Sequence, residues 1–237
     1  HREIFSSDVN DSLGLDHNST AVKTFLRTEF KYFTSLYARV KTATLKLDER
    51  YPAVYYNSLN DLDMQYMLIL SACKVDDPEE QEKIDLVATG LDRLFSLLQL
   101  QGAYGSNEFG LLLFTISKQI REQSASSIED IFELHLRKEI ESRRGNKPEE
   151  SISYQLFRPM SIDRLNRRFI RYLFARVENL LALGMNQTMK HGLADLMKGG
   201  NKHGFHVEHI LSRNLENVQL FDGDEERFDN ERNRLGG

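Results

Sequence analysis

Apolar side chains return every three or four residues along most of this chain, and only 4 prolines in 237 residues interrupt them. An α-helix turns once per 3.6 residues, so this spacing lines one face with groups that must be buried against other helices. Phe25, Phe33, Leu36, Tyr37 and Val40 make one such stripe. Ile162, Leu165, Phe169, Leu173, Val177 and Leu180 make another. The expected fold is mainly α, a multi-helical body.

Local signals divide that body. Residues 1–17 read as an irregular leader. Asn18-Ser19-Thr20 can cap a long helix reaching about residue 47, which Tyr51-Pro52 then breaks. Ser58 can cap a second helix over 59–74. Asp77-Pro78 with Glu79 and Glu80 starts a third, ending near Leu100, because acids suit the positive end of a helix dipole. Residues 102–105 form a turn, and 107–123 and 127–144 are two more helices. Gly145, Asn146 and Pro148 mark 143–150 as the best internal linker. A helix follows over 161–183, ended by Gly184, then a weaker one over 187–198 that stops at Gly199-Gly200. Beyond it the period changes from helix to strand. Residues 204–211 read as a strand, 215–229 as an acidic loop, and 232–237 as the start of a second strand. The chain thus divides into a helical domain (1–145), a connector with a basic helix (146–200) and a small C-terminal piece (201–237).

Composition excludes several classes. With 40% hydrophobic and 28% charged residues the chain is globular, not disordered. No apolar run approaches the ~20 residues that span a bilayer, and the expectation is no membrane partner. The opening His1-Arg2-Glu3-Ile4-Phe5 reads as neither a signal peptide nor a natural start. The single Cys73 excludes an intrachain disulfide and fits a reducing, cytoplasmic compartment; its apolar surroundings suit an inert buried thiol. Net charge is −5, yet residues 151–214 hold ten basic against four acidic side chains, leaving −11 for the rest. Such a zone could attract a polyanion or simply be a solvated helix face.

The chemistry concentrates in Phe205-His206-Val207-Glu208-His209-Ile210-Leu211, where His203 also lies close by. On a strand, His206 and Glu208 would share one face and Val207 and His209 the other. Imidazole beside carboxylate can bind a divalent metal and activate water. From spacing alone, a structural histidine pair at a strand end accounts for the run at least as well. A phosphate-cradling loop is excluded at Gly199-Gly200, which lacks the lysine and hydroxyl that must follow, and no serine sits in a Gly-x-Ser-x-Gly elbow. The adjacent acids Glu225-Glu226 read as surface residues.

Val207-Glu208-His209-Ile210-Leu211, followed by Asp229-Asn230-Glu231-Arg232-Asn233-Arg234-Leu235-Gly236, resembles the opening of an HNH (ββα-metal) nuclease domain. The match is to the C-terminal nuclease of GmrSD-type restriction proteins and their phosphorothioate-sensing SspE relatives. The run Leu165-Asn166-Arg167-Arg168-Phe169-Ile170-Arg171-Tyr172-Leu173-Phe174-Ala175-Arg176-Val177 is similar to the last scaffold helix of that family. The resemblance implies a helical body followed by a truncated ββα-metal module. It also implies a DNA endonuclease of bacterial anti-phage defence that senses DNA modification and uses Mg²⁺ or Mn²⁺. Carried over, Glu208 is a metal ligand, His209 the general base and Asn233 the residue that orients the base or its loop. Arg167, Arg168, Arg171, His206 and Arg234 are nucleic-acid contacts. Arg164, Arg167, Arg168 and Arg171 could instead pair with the acidic loop at 222–231. The family's last metal ligand would fall after Gly237, so the chain reads as a central and C-terminal fragment. An N-terminal nucleotide-hydrolysing domain of the same protein, with an Asp-Gly-Gln-Gln-Arg signature, would be its partner. The alternative of another class is a non-enzymatic helical effector module that regulates a partner domain.

Overall fold

The periodic segments fold as helices in a computed structural model that describes residues 6–144, 160–200 and 204–234. In chain order they are α1 (Ser7–Ser12), α2 (Ser19–Arg27), α3 (Glu29–Ala43), α4 (Pro52–Leu59), α5 (Met64–Ala72), α6 (Glu80–Leu100), α7 (Ser106–Gln119) and α8 (Ala125–Arg144). After a 3₁₀ turn at Ile162–Arg164 come α9 (Arg167–Gly184), α10 (Leu193–Leu196), α11 (Leu215–Gln219) and α12 (Glu225–Arg232). The boundary expected at 145/146 lies outside the described residues.

Helix α6 is the axis of the body. Ile84, Val87, Ala88, Leu91, Leu94, Phe95 and Leu98 recur at helical spacing and are all buried. They pack against α4, α5 and α8, while α7 lies on α5 and α8. Each fully buried Leu or Ile contributes about 1.5–3 kcal/mol by leaving water. Gly90 permits the closest approach of α6 to α8, because a Cβ there would lie 2.7 Å from the buried Phe132 ring. Gly110 in α7 has open space at the same position. Alanine at Gly110 should therefore raise stability by about 0.5–1 kcal/mol through helix propensity. Alanine at Gly90 should lower it by about 1–2 kcal/mol despite the same propensity gain, since overpacking outweighs it. Urea midpoints that move in the same direction for both would contradict this contrast.

Several expected boundaries shift, for local reasons. The first long helix divides at Thr28, whose hydroxyl donates back to the Thr24 carbonyl at 2.8 Å, and the backbone leaves helical geometry there. Pro52 does not end a helix. It begins α4 at a position whose N–H has no intrahelical partner in any case. Ser58 consequently lies inside α4, donating to Tyr55 and Thr44 carbonyls, and the break falls at 60–63, where Asp61 takes a positive φ of 56°. The leader contains the short α1, and the weak helix expected over 187–198 is reduced to the single turn of α10. Cys73 is buried beneath α5, and burial followed by the nearby Glu80 and Asp77 carboxylates pushes its thiol up to about 12, so it is inert.

The strand expected over 204–211 does not form: residues 204–209 have no regular structure and no strand partner, and no sheet occurs among the described residues. Of the second expected strand, 235–237 lie outside the described residues, and one antiparallel bridge joins Ser161 to Arg234. The segment read as an acidic loop is α11 and α12. Asn214 caps the first by accepting from Asn217 N at 2.8 Å, and Asp224 caps the second by accepting from Arg227 N at 2.9 Å. Glu225 and Glu226 in the first turn favour the helix dipole, and Phe228 is wholly buried against Phe221. Arg232 therefore ends a helix instead of opening a strand.

Helix α9 attaches to the body through its first half. Phe169 meets Phe95 edge-on, with centroids 5.7 Å apart. Asp92 of α6 accepts from the Tyr172 hydroxyl and, at 2.6 Å, from Arg176, whose guanidinium lies 3.7 Å from the Tyr56 ring centroid. Burial and the Asp92 charge push the Tyr172 phenol far above its ordinary value, so it remains a donor. Toward its C-terminal end the apolar stripe is exposed: Val177 and Leu180 are exposed, as are Leu181 and Leu183.

Candidate functional site

Three glycines bring the histidine run onto α9. A Cβ at Gly204 would lie 2.3 Å from the Gly199 carbonyl carbon, so the chain can return past itself only without a side chain there. Gly200, with φ of 129°, makes the turn, and hydrogen bonds from Gly204 N to Gly200 O and from Phe205 N to Lys198 O close it. Phe205 then stacks edge-on against His191, and residues 206–209 run beside α9.

Two cavities flank Arg171. One, of about 420 Å³, is lined by Asp163, Arg167, Arg171, His206, Val207 and His209, among others. The other, of about 300 Å³, is lined by Arg171, Phe174, Glu178, His206 and Glu208, among others. His206 and Glu208 line the smaller cavity, but so does Val207, and His206 and Val207 join His209 in the larger one, so the two-faced alternation expected of a strand is not seen.

His209 is half-buried, and its Nδ1 lies 3.2 Å from the Arg232 carbonyl oxygen. A carbonyl only accepts, so Nδ1 carries the proton and donates it. In the neutral ring Nε2 is then the nitrogen with a free lone pair. Arg232 supports this contact a second way, since its Nε donates to the Leu211 carbonyl at 3.2 Å. Arg213 pairs with Asp229 at 2.9 Å. Residues 211–213, just after the histidine, are thereby pinned to α12.

The remaining expected residues separate. Glu208 is exposed at the mouth of the smaller cavity. Asn233 is close to the His209 contact but does not touch the ring in any hydrogen bond: its carbonyl accepts from Ile162 N at 2.7 Å, and its Oδ1 accepts from the Arg232 guanidinium at 3.1 Å. Arg234 pairs with Glu231 at 2.8 Å. Arg168 turns away from the cavities, donating to the Leu59 carbonyl and pairing with Asp61, which ties α9 to the end of α4. The acidic segment is thus not its partner. Arg167 and Arg171 have no ion-pair partner among the described residues, and both reach the larger cavity. Sequence reasoning missed Asp163, Gly204 and the Arg232 carbonyl. Only the glycines surrounding the histidine run could have signalled them.

No family model, curated protein or solved structure matches the chain. Among the described residues no three His, Cys, Asp or Glu side chains converge as a metal site. Glu208 and His206 can contribute donors, but Mg²⁺ would need further oxygens from water or phosphate, so the described residues do not by themselves form a metal centre. None of the described helices is long and apolar enough to cross a membrane.

Proposed function

We propose that this chain belongs to an HNH-type DNA endonuclease that hydrolyses phosphodiesters in a bacterial modification-dependent restriction or anti-phage system. The observation that carries the reading is the His209 Nδ1 contact with the Arg232 carbonyl. It fixes the ring and leaves Nε2 as proton acceptor, which a general base for water attack requires. His209 also lines a cavity with Arg167 and Arg171, which have no ion-pair partner among the described residues and would attract a nucleic-acid backbone. The ββα pairing of the HNH fold is not part of the support, because residues 204–209 lie unpaired. Glu208 is the carboxylate assigned to Mg²⁺ or Mn²⁺, which when bound would neutralise charge on the phosphate. DNA is the substrate, and a nucleotide-hydrolysing domain of the same protein the partner.

Glu208 supplies a direct test in the full-length protein. Glu208→Ala should raise the Mn²⁺ concentration needed for half-maximal DNA cleavage by about tenfold or more. An unchanged metal titration removes Glu208 from the ligand set.

One observation favours a helical effector module instead. The second half of α9 exposes Leu180, Leu181 and Leu183 together, a patch of the kind that partners cover. Under that reading, Mn²⁺ calorimetry on the full-length protein is silent and no nucleic acid is cut.

A further inference from the structure

The larger cavity beside α9 carries an unbalanced positive charge. Arg167 and Arg171 line it with His206 and His209, against one carboxylate, Asp163. Glu178 and Glu208 lie on the neighbouring cavity that Arg171 also borders. Arg171 is half-buried, has no carboxylate partner among the described residues, and its Nε is buried without a hydrogen-bond acceptor. A guanidinium withdrawn from water without either costs free energy.

The guanidinium lies against the backbone of Gly199: a Cβ there would stand 2.6 Å from Arg171 Nη2 and 2.7 Å from Cζ, so a larger residue would push the guanidinium aside. Two other arginines of α9 are satisfied: Arg168 by Leu59 and Asp61, Arg176 by Asp92 and the Tyr56 ring. A guanidinium with no carboxylate partner among the described residues, on a cavity shared with two histidines, suits an external oxyanion. Its planar fork matches two phosphate oxygens, which a lysine would not do as well.

We propose that this cavity is a subsite for one backbone phosphate of a DNA strand, held by Arg171 with Arg167 and His206; the identity of the strand rests on the nuclease reading. The phosphate held there would place the neighbouring linkage beside His209. Arg168 and Arg234 take no part.

Binding of a labelled DNA duplex by the full-length protein, in EDTA and across a KCl series, tests the subsite without any cleavage. Arg171→Gln should weaken binding about tenfold and reduce the slope of log K against log salt by about 1, the signature of one lost phosphate contact. Arg167→Gln should shift both in the same direction, and Arg168→Gln should leave both unchanged. Arg171→Gln binding with wild-type affinity and slope overturns the proposal. Inorganic phosphate should compete with the duplex and shift the His206 ring resonances in the wild type but not in Arg171→Gln. Phosphate binding through Arg171 without any effect of Arg171→Gln on DNA makes this a free-anion site and also overturns the proposal. Should Arg171→Gln not fold, Gly199→Ala keeps the charge but displaces the guanidinium, and must weaken DNA binding for the proposal to stand. A protein that binds DNA through Arg171 yet never cuts it removes the nuclease reading and leaves the subsite. One that cuts normally and binds normally as Arg171→Gln removes the subsite and leaves the nuclease reading.

Discussion

His209→Ala in the full-length protein should lower metal-dependent DNA cleavage by a factor of about 10²–10⁴, the range that a positioned general base supplies. The fold should survive. His209 contributes one hydrogen bond to the Arg232 carbonyl at 3.2 Å, worth about 1 kcal/mol, and it lies at the half-buried rim of a cavity. Arg232 would still hold the Leu211 carbonyl, and Arg213 would still hold Asp229. Loss of cleavage with an unchanged thermal midpoint therefore separates a chemical role from a structural one. Nicking at the wild-type rate by this variant would end the assignment of His209 as base. A variant that loses activity and melts much earlier would point to the structural histidine that spacing alone also allows.

The largest effect on stability is expected from the helical body. Lys83 in α6 is 2% exposed, and its ammonium donates to Asp77 at 2.9 Å, while the Asp77 side chain is fully buried. Asp77 also accepts from Glu79 N at 3.0 Å and Lys74 N at 3.3 Å, and Glu79 in turn lies 3.4 Å from Ala125 N at the start of α8. Lys83→Met leaves a buried carboxylate without its counter-ion, which costs about 3–5 kcal/mol. The double variant Lys83→Met/Asp77→Asn removes the charge and keeps an acceptor for Glu79 N, although its amide NH2 cannot accept from Lys74 N, so it should recover part of that loss. Chemical denaturation of the two variants decides the matter, and equal destabilisation of both would show that the pair acts through packing alone.

The same pair predicts an acid dependence. Burial alone would raise the Asp77 carboxyl, but the Lys83 and backbone donors together hold it below its ordinary value. A carboxyl lowered in the folded state adds stability that is complete above the ordinary carboxylate range, near pH ~4, and is lost as pH falls through the folded value. The wild type should lose stability more steeply than Lys83→Met/Asp77→Asn as pH falls below about 4.

Much of the helical body was legible because apolar spacing is a property of the chain itself. The start of α6 at Asp77-Pro78, the helices on either side of 120–125, and the burial of Phe169 follow from period and capping residues. The breaks were less legible. Pro52 can end one helix or begin the next, and residue type alone does not decide which. Val177 and Leu180 continue the stripe of α9 but find no helix opposite them. The acidic stretch at 215–229 hid two capped helices because its charge density outweighed its single buried anchor, Phe228.

By itself the chain determined that a mainly helical body would form, and it placed His206, Glu208 and His209 in one short run. Both follow from residue type and spacing over a few turns. Only the tertiary structure decided which groups meet. It set His209 on the Arg232 carbonyl, turned Arg168 toward Asp61, and left Arg171 unpaired against Gly199. Those contacts join residues far apart in the chain, and hydrogen bonds and ion pairs depend on distance in space, which local periodicity does not encode.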